Sequence, residues 1–237
     1  MVDYIFGDFM IKNILMDLDN TILDFHRTES EAIRKTLSNF GVEPTDEVIA
    51  TYKAFNRRCW EALERGEMTR DEVLFGRFEL LFSSLGKSVK PEDVQYFYER
   101  RLSEGAYYID GAEEMLKRLQ GKYKIYIASN GTAFVQDRRI EASGVAKYFD
   151  GIFISERIGA NKPSPVFFDG CFAEMENKER DKTVIVGDTL SSDILGGINA
   201  GIHTIHYTLG ADVEYTDIVP EYSAKTIEEI ENIIEKM

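Results

Sequence analysis

The sequence predicts an α/β fold: a parallel β-sheet with helices on both faces, plus an all-helical domain inserted after the first strand. Three observations point there. Short apolar runs rich in β-branched residues recur along the chain, and helical patterns that end in glycine or polar turns lie between them. One stretch of roughly 80 residues holds helical patterns alone, enough for a second, smaller domain. Strands that alternate with helices pair most economically in parallel, because each crossover then carries a helix across one face.

Taken in order, the first strand pattern spans residues 11–18. Met10 stands at its start and is read as a candidate first residue, a reading that native peptides containing Asp3 would reject. From 25 to 105 the patterns are helical only, at 28–39, 45–65, 70–85 and 91–103. The expected division is therefore a core of 1–24 with 106–237 and a helical domain of 25–105, which leaves the carboxyl end of the first strand and is expected to act as a lid. After the Gly111 turn, a helix over 112–119 leads to a strand at 124–129, then a helix over 133–143 that stops at Gly144. Strands at 152–155, 183–187 and 204–207 alternate with helices at 165–175 and 192–200, and 227–236 forms a terminal helix.

Composition narrows the function. Acidic residues outnumber basic ones 42 to 28 for a net charge of −14, which argues against a polyanion such as duplex DNA as partner. A small anion needs a local patch of N–H groups, a lysine or a metal ion. Cys59 and Cys171 lack the spacing of a zinc or redox site. With no apolar run long enough for a membrane helix and no leader pattern at the start, the expected location is cytoplasmic.

Ligands of open parallel sheets bind at the carboxyl ends of the strands. There the chain carries four motifs. Asp17-Leu18-Asp19-Asn20-Thr21 follows Ile14-Leu15-Met16 and sets two carboxylates two residues apart, either aimed into one space or decorating a surface loop. Ser129-Asn130-Gly131 offers a hydroxyl and N–H groups freed by a glycine turn, a phosphate cradle or an ordinary capped turn. Lys162 precedes Pro163 at a helix entrance, reaching an anion from the side or remaining solvated. Gly187-Asp188 and Asp193 follow Val184-Ile185-Val186; the two carboxylates converge on a cation, or Asp193 caps the next helix. Each pattern has an ordinary explanation, but their coincidence at strand ends is specific.

This set resembles the haloacid dehalogenase superfamily of hydrolases over essentially the whole chain, with a helical cap after the first motif. The resemblance implies a Rossmann-like core, hydrolysis of phosphoric monoesters and a Mg2+ cofactor. It implies that Asp17 attacks phosphorus to form an aspartyl-phosphate and helps to hold the metal. Asp19 would protonate the leaving oxygen, take a proton from water and ligate the metal through its backbone carbonyl. Asp188 would be a further ligand supported by Asp193. Ser129 and the N–H groups of Asn130 and Gly131 would bind the phosphate oxygens, and Lys162 would neutralise charge on phosphate and Asp17. Elementary chemistry agrees: covalent catalysis splits one hard displacement into two, crowded carboxylates retain a proton, and an all-oxygen ligand set suits a hard cation. A halide leaves without a proton, so the acid at Asp19 also separates this chain from the dehalogenases.

Within the superfamily, Tyr52-Lys53-Ala54-Phe55-Asn56 with Trp60, Gly66, Thr69 and Gly76-Arg77-Phe78, together with 191–201, resembles the bacterial pyrimidine 5'-nucleotidase branch. That implies a nucleoside 5'-monophosphate substrate. A sugar-phosphate or phosphoglycolate phosphatase is the alternative, as is a non-catalytic phosphate sensor or scaffold, against which the retained Asp19 argues. Asn56 and Trp60, four apart on one helix face, offer an amide and an aromatic surface to a base or form the interior of the helical domain. Phe25 is placed at the entrance, and Arg77 either binds a sugar or pairs with a neighbouring glutamate. The expected partner is a small phosphorylated substrate, with no nucleic acid polymer and no membrane, and the protein a monomer or homodimer.

Overall fold

The apolar runs become strands because their β-branched residues pack on a pleated surface buried on both faces. In this computed structural model, which describes residues 10–237, β1 (Asn13–Met16) is followed by α1 (Phe25–Asn39), α2 (Asp46–Glu64), α3 (Arg70–Ser84) and α4 (Pro91–Leu102). Then come α5 (Ala112–Leu119), β2 (Lys124–Ser129), α6 (Ala133–Ser143), β3 (Gly151–Ile154), the single turn α7 (Ser155–Ile158) and α8 (Pro165–Glu174). The chain closes with β4 (Thr183–Gly187), α9 (Leu195–Ala200), β5 (His203–Tyr207), β6 (Tyr222–Ala224) and α10 (Ile227–Ile234). Residues 1–9, on which the choice between Met1 and Met10 turns, lie outside the described residues.

The strands form one sheet in the order β3-β2-β1-β4-β5-β6, and every pairing is parallel. This is the Rossmann-like α/β architecture that the sequence predicts. The chain moves from β1 outward to β3, then returns to the other side of β1 for β4, so the topology switches direction beside β1. Met16 lies opposite Ile127 of β2 and Val186 of β4, which levels the carboxyl ends of the three central strands. One more ladder bond, from Asp17 N–H to Val186 O at 2.9 Å, carries that alignment into the first motif.

The chain divides into two compact units, each with its own interior. The sheet unit comprises the chain through Asp24, Tyr108–Ala133 and Gly144–Met237. One of its cores joins Leu15, Tyr126, Ala128 and Ile185 of the sheet to Phe167, Phe168, Cys171 and Phe172 of α8. Both cysteines are free and buried. The helical unit comprises Phe25–Tyr107 and Phe134–Ser143, packed around Tyr52, Phe78, Phe82 and Tyr98. Its helices start where the sequence supplies caps: Thr45 accepts from Val48 N–H, and Thr69 and Glu72 form a reciprocal capping box.

Three features differ from the sequence expectation. Residues 134–143 group with the helical unit rather than the sheet: Val135 joins its core, and Arg139 donates from Nε to Gly105 O at 3.0 Å. Residues 190–194, partly expected as regular helix, form a π turn before α9. The short strand β6 was not expected, since Tyr222-Ser223-Ala224 has no apolar run to mark it. Among the described residues no helix is long and apolar enough to cross a membrane.

Candidate active site

Three loops leave the level carboxyl ends of β1, β2 and β4, and a fourth brings in Lys162. After β1 the chain turns at Asn20, whose φ of 59° is left-handed, a conformation asparagine tolerates better than most residues. Asn20 N–H donates to Leu23 O at 2.8 Å, closing the turn, while its Nδ2 reaches Asp188 Oδ2 at 3.4 Å. After β4 the π turn widens the backbone and swings Asp193 back over the strand end. A Cβ on Gly187 would meet Asp193 Cγ at 2.3 Å, so only glycine permits that approach.

Lys162 is the centre of the site. Its side chain is 1% exposed, and Nζ donates at 2.6 Å to Asp17 Oδ1, to Asp193 Oδ1 and to the carbonyl of Ala128. Those three bonds use all three ammonium hydrogens. Burial alone would favour a neutral amine, but the Asp17 and Asp193 carboxylates outweigh it and hold the ammonium above the ordinary lysine range. The Lys162 backbone is fixed reciprocally by the Asn130 side chain, which donates to Lys162 O at 2.9 Å and accepts from Lys162 N–H at 2.8 Å.

The carboxylates around this cation are crowded. Burial pushes the Asp17 carboxyl well above its usual range; Lys162 pulls it back, and Asp193, Asp188 and Asp19 push it up again. Asp188 is pushed up to about 7, by burial first and by Asp193 second, against hydrogen bonds from Thr189 and Asn20. Asp17, Asp188 and Asp193 each offer an oxygen, all within 4.8 Å of one another. Three carboxylates around one ammonium leave an excess of negative charge that a proton or a divalent cation can neutralise. The donor set fits a hard cation. Both Asp193 oxygens are engaged, Oδ1 by Lys162 and Oδ2 by Thr189 N–H at 3.1 Å, whereas Asp17 Oδ2 accepts no hydrogen bond from the described residues. Asp188 accepts from neutral groups alone, Thr189 Oγ1 at 3.1 Å and Asn20 Nδ2 at 3.4 Å, whereas Asp193 is tied to the Lys162 ammonium at 2.6 Å, so Asp188 is better suited than Asp193 to direct ligation.

The other expected site residues divide between the two units. Ser129, 1% exposed, ends β2 and accepts Gly131 N–H at 3.2 Å, so that N–H is occupied by Ser129. The sequence reading has Lys162 binding phosphate; in this structure its ammonium bonds Asp17, Asp193 and the Ala128 carbonyl. In the helical unit, Asn56 Nδ2 donates to Glu29 Oε1 at 2.9 Å, while its Oδ1 accepts from Trp60 Nε1 at 3.1 Å and Arg77 NH1 at 2.7 Å. Arg77, 3% exposed, also donates to Gln95 Oε1 at 2.7 Å. Asn56 and Arg77 therefore tie α1, α2, α3 and α4 together, with Arg77 bonded to Asn56 and Gln95 rather than to the glutamate that the sequence reading offered as one alternative. Phe25 carries the Arg139 guanidinium 5.4 Å from its ring centre.

Sequence reasoning missed Asn130 as the brace of Lys162, and His206. On β5, His206 places Nε2 3.0 Å from Asp188 O and Nδ1 2.8 Å from the Tyr215 hydroxyl, and burial holds its pKa below the ordinary histidine range. A titratable residue inside the strand pattern Thr204–Tyr207 was the available signal.

Comparison with known proteins places these features in a family. Residues 14–207 match the haloacid dehalogenase-like hydrolase family. The chain is 34% identical over 223 residues to the HAD-hydrolase YfnB of Bacillus subtilis, covering 94% of this chain and 95% of that protein. It is 32% identical over 232 residues to the pyrimidine 5'-nucleotidase PynA of Streptococcus pneumoniae, covering 95% and 98%. For the pyrimidine 5'-nucleotidase YjjG of Escherichia coli the figures are 30% over 221 residues, 93% and 96%. A crystal structure of YfnB bound to magnesium superposes with a TM-score of 0.90 over 95% of this chain and 99% of that one.

Proposed function

The chain belongs to the haloacid dehalogenase-like hydrolases, and from that membership we propose that it is a magnesium-dependent phosphatase of pyrimidine nucleoside 5'-monophosphates, working through an aspartyl-phosphate on Asp17. It is an enzyme of the phosphoric monoester hydrolase class. One observation carries the mechanism: Lys162 grips Oδ1 of Asp17 at 2.6 Å, and Oδ2 accepts no hydrogen bond from the described residues.

Gripping one oxygen fixes the carboxylate and aims the other, so little reorganisation remains for attack. Attack requires the ionised form. Burial opposes ionisation, and the Lys162 charge favours it. Asp17 Oδ2 forms the bond to phosphorus as the ester oxygen leaves, and Asp19 supplies that oxygen with a proton. Water then attacks the phosphoenzyme, gives its proton to Asp19, and phosphate departs with Asp17 restored. Asp17 through Oδ1, the Asp188 carboxylate and the Asp19 backbone carbonyl would hold magnesium, which would supply charge neutralisation while Asp17 Oδ2 stays free to attack. Ser129 and the Asn130 and Gly131 N–H groups remain the proposed oxygen donors, Gly131 on exchange from Ser129.

Support for the nucleotide comes from PynA and YjjG, matched along nearly their whole lengths. In the helical unit the partly exposed Trp60 ring remains an aromatic surface for a base. The test is phosphate release from nucleoside 5'-monophosphates, sugar phosphates and phosphoglycolate, with magnesium, with chelator, and with Asp17→Asn. Magnesium-dependent release fastest from pyrimidine monophosphates is expected. Activity of Asp17→Asn within roughly tenfold of wild type, about 1.4 kcal/mol in barrier, would refute the nucleophile. A preference for sugar phosphates would overturn the base assignment and leave the mechanism standing.

A further inference from the structure

The peptide unit joining Asp188 to Thr189 is held at both ends by side chains. Its carbonyl lies 3.0 Å from His206 Nε2, and its N–H donates to Asp193 Oδ2 at 3.1 Å. The register of β4 and β5 makes this reach possible, because Gly187 lies directly opposite His206. A carbonyl only accepts, so Nε2 must carry the ring proton. The neutral ring then presents a lone pair at Nδ1, which the Tyr215 hydroxyl, 2.8 Å away, satisfies by donating. The Tyr215 and Ser223 hydroxyl oxygens lie 2.9 Å apart, a pair in which either hydroxyl can donate, so the Tyr215 hydrogen is available to Nδ1. The Tyr215 ring also meets His206 edge-on at 5.6 Å between centroids.

What this holds is more than one carbonyl. The orientation of that peptide sets where the Asp188 carboxylate and Thr189 Oγ1 point, and Oγ1 bonds Asp188 Oδ1 at 3.1 Å. It also occupies Asp193 Oδ2, which leaves Oδ1 to Lys162. A rotation of the plane would loosen Asp188 and Asp193 together.

The geometry points to His206, locked as its Nε2–H tautomer by Tyr215, as a positioning residue that orients Asp188 for a divalent cation and Asp193 for Lys162. This rests on the reading of Asp188 as a metal ligand. It differs from a merely satisfied buried histidine in one respect: ion affinity must follow the donor to the Asp188 carbonyl rather than the packing of the ring.

The experiment measures Mn2+ binding to the full chain by electron paramagnetic resonance and Mg2+ binding by calorimetry, alongside kcat and KM at saturating Mg2+. His206→Leu removes the donor, and His206→Gln restores an N–H at the Nε2 position. Tyr215→Phe removes the lock at a partly exposed side chain, and Asp188→Asn tests the underlying reading. His206→Leu is expected to weaken Mn2+ binding about tenfold or more, in the range found for groups that orient metal ligands. His206→Gln should recover most of that affinity, Tyr215→Phe should lose about threefold, and the losses should fall on kcat more than on KM. Wild-type affinity in His206→Leu, with binding abolished in Asp188→Asn, overturns the proposal and spares the metal reading. Equal loss in His206→Leu and His206→Gln overturns it as well, because the donor would then not be what matters. Undiminished binding by Asp188→Asn overturns the metal reading and the proposal with it. Should His206→Leu fail to fold, Tyr215→Phe decides, and unchanged affinity there rejects the role of the lock.

Discussion

Lys162 holds two buried carboxylates with one ammonium, and removing it would leave Asp17 and Asp193 facing each other uncompensated. Lys162→Met is therefore expected to cost about 3–5 kcal/mol at neutral pH, the range for breaking a buried pair from one side. The sign with pH follows from the raised carboxyls. Asp188 is at about 7 in the folded chain, against about 3.9 unfolded. Between those values the folded chain holds a proton that the unfolded chain has released, so stability falls as pH rises. Loss of Lys162 raises the neighbouring carboxyls further and steepens that fall. Urea denaturation in chelator should show the deficit of Lys162→Met shrinking from about pH 7.5 toward about pH 4, as the raised Asp17 carboxyl takes up its proton in the folded chain. At this scale the acidic and basic members of the site were legible, because paired carboxylates, a serine-glycine turn and a lysine before proline stand out beside strand ends. The brace that the Asn130 side chain makes on Lys162 and the place of His206 were not: each rests on a single polar residue whose partner, a backbone carbonyl or N–H, carries no sequence signature.

Helices and strands were legible where one face is uniformly apolar, and less so where the buried face is polar. Helix α6 buries Gln136 and Arg139 beside Val135 and Ile140, so its pattern does not reveal that residues 134–143 pack with the helical unit. The π turn before α9 follows from Asp193 reaching back to Thr189 N–H, a demand that periodicity cannot express. In the helical unit the same principle produces a buried polar joint. Glu29 of α1 accepts Asn56 of α2 at 2.9 Å and Tyr52 at 3.4 Å, and Tyr52 bonds Tyr98 of α4 at 2.8 Å. Burial raises the Glu29 carboxyl, with Arg77, Lys53 and His26 pulling it down by less. A raised acid contributes stability while protonated and loses it as pH climbs past the usual glutamate range, about 4.3. Glu29→Gln keeps an acceptor oxygen for Asn56 and Tyr52 but cannot ionise. Its stability relative to wild type should therefore improve as pH rises from about 4.5 to about 7.5, measured by urea denaturation. A constant difference across that range would mean that Glu29 stays ionised throughout, compensated by Arg77.

For the whole molecule, the net charge of −14 and the chemistry of the site pull in opposite directions. A phosphate monoester dianion approaching from solution meets the repulsion of a net negative chain, while the groups proposed to receive it, Lys162 and a bound cation, are compact and local. Salt acts differently on the two. At about 0.1 M the screening length is about 10 Å, so the far field is largely removed, whereas buried contacts such as the Lys162 ion pairs are screened much less. With Mg2+ kept saturating, raising monovalent salt from about 0.02 M to about 0.2 M should increase kcat/KM by about two- to fivefold, with kcat nearly unchanged, because only encounter is affected. Reversing surface charges far from the sheet's carboxyl edge should reproduce the gain at low salt. A decrease in kcat/KM with salt would show that the local positive field already governs encounter. The acidity of the chain would then have no part in how substrate arrives.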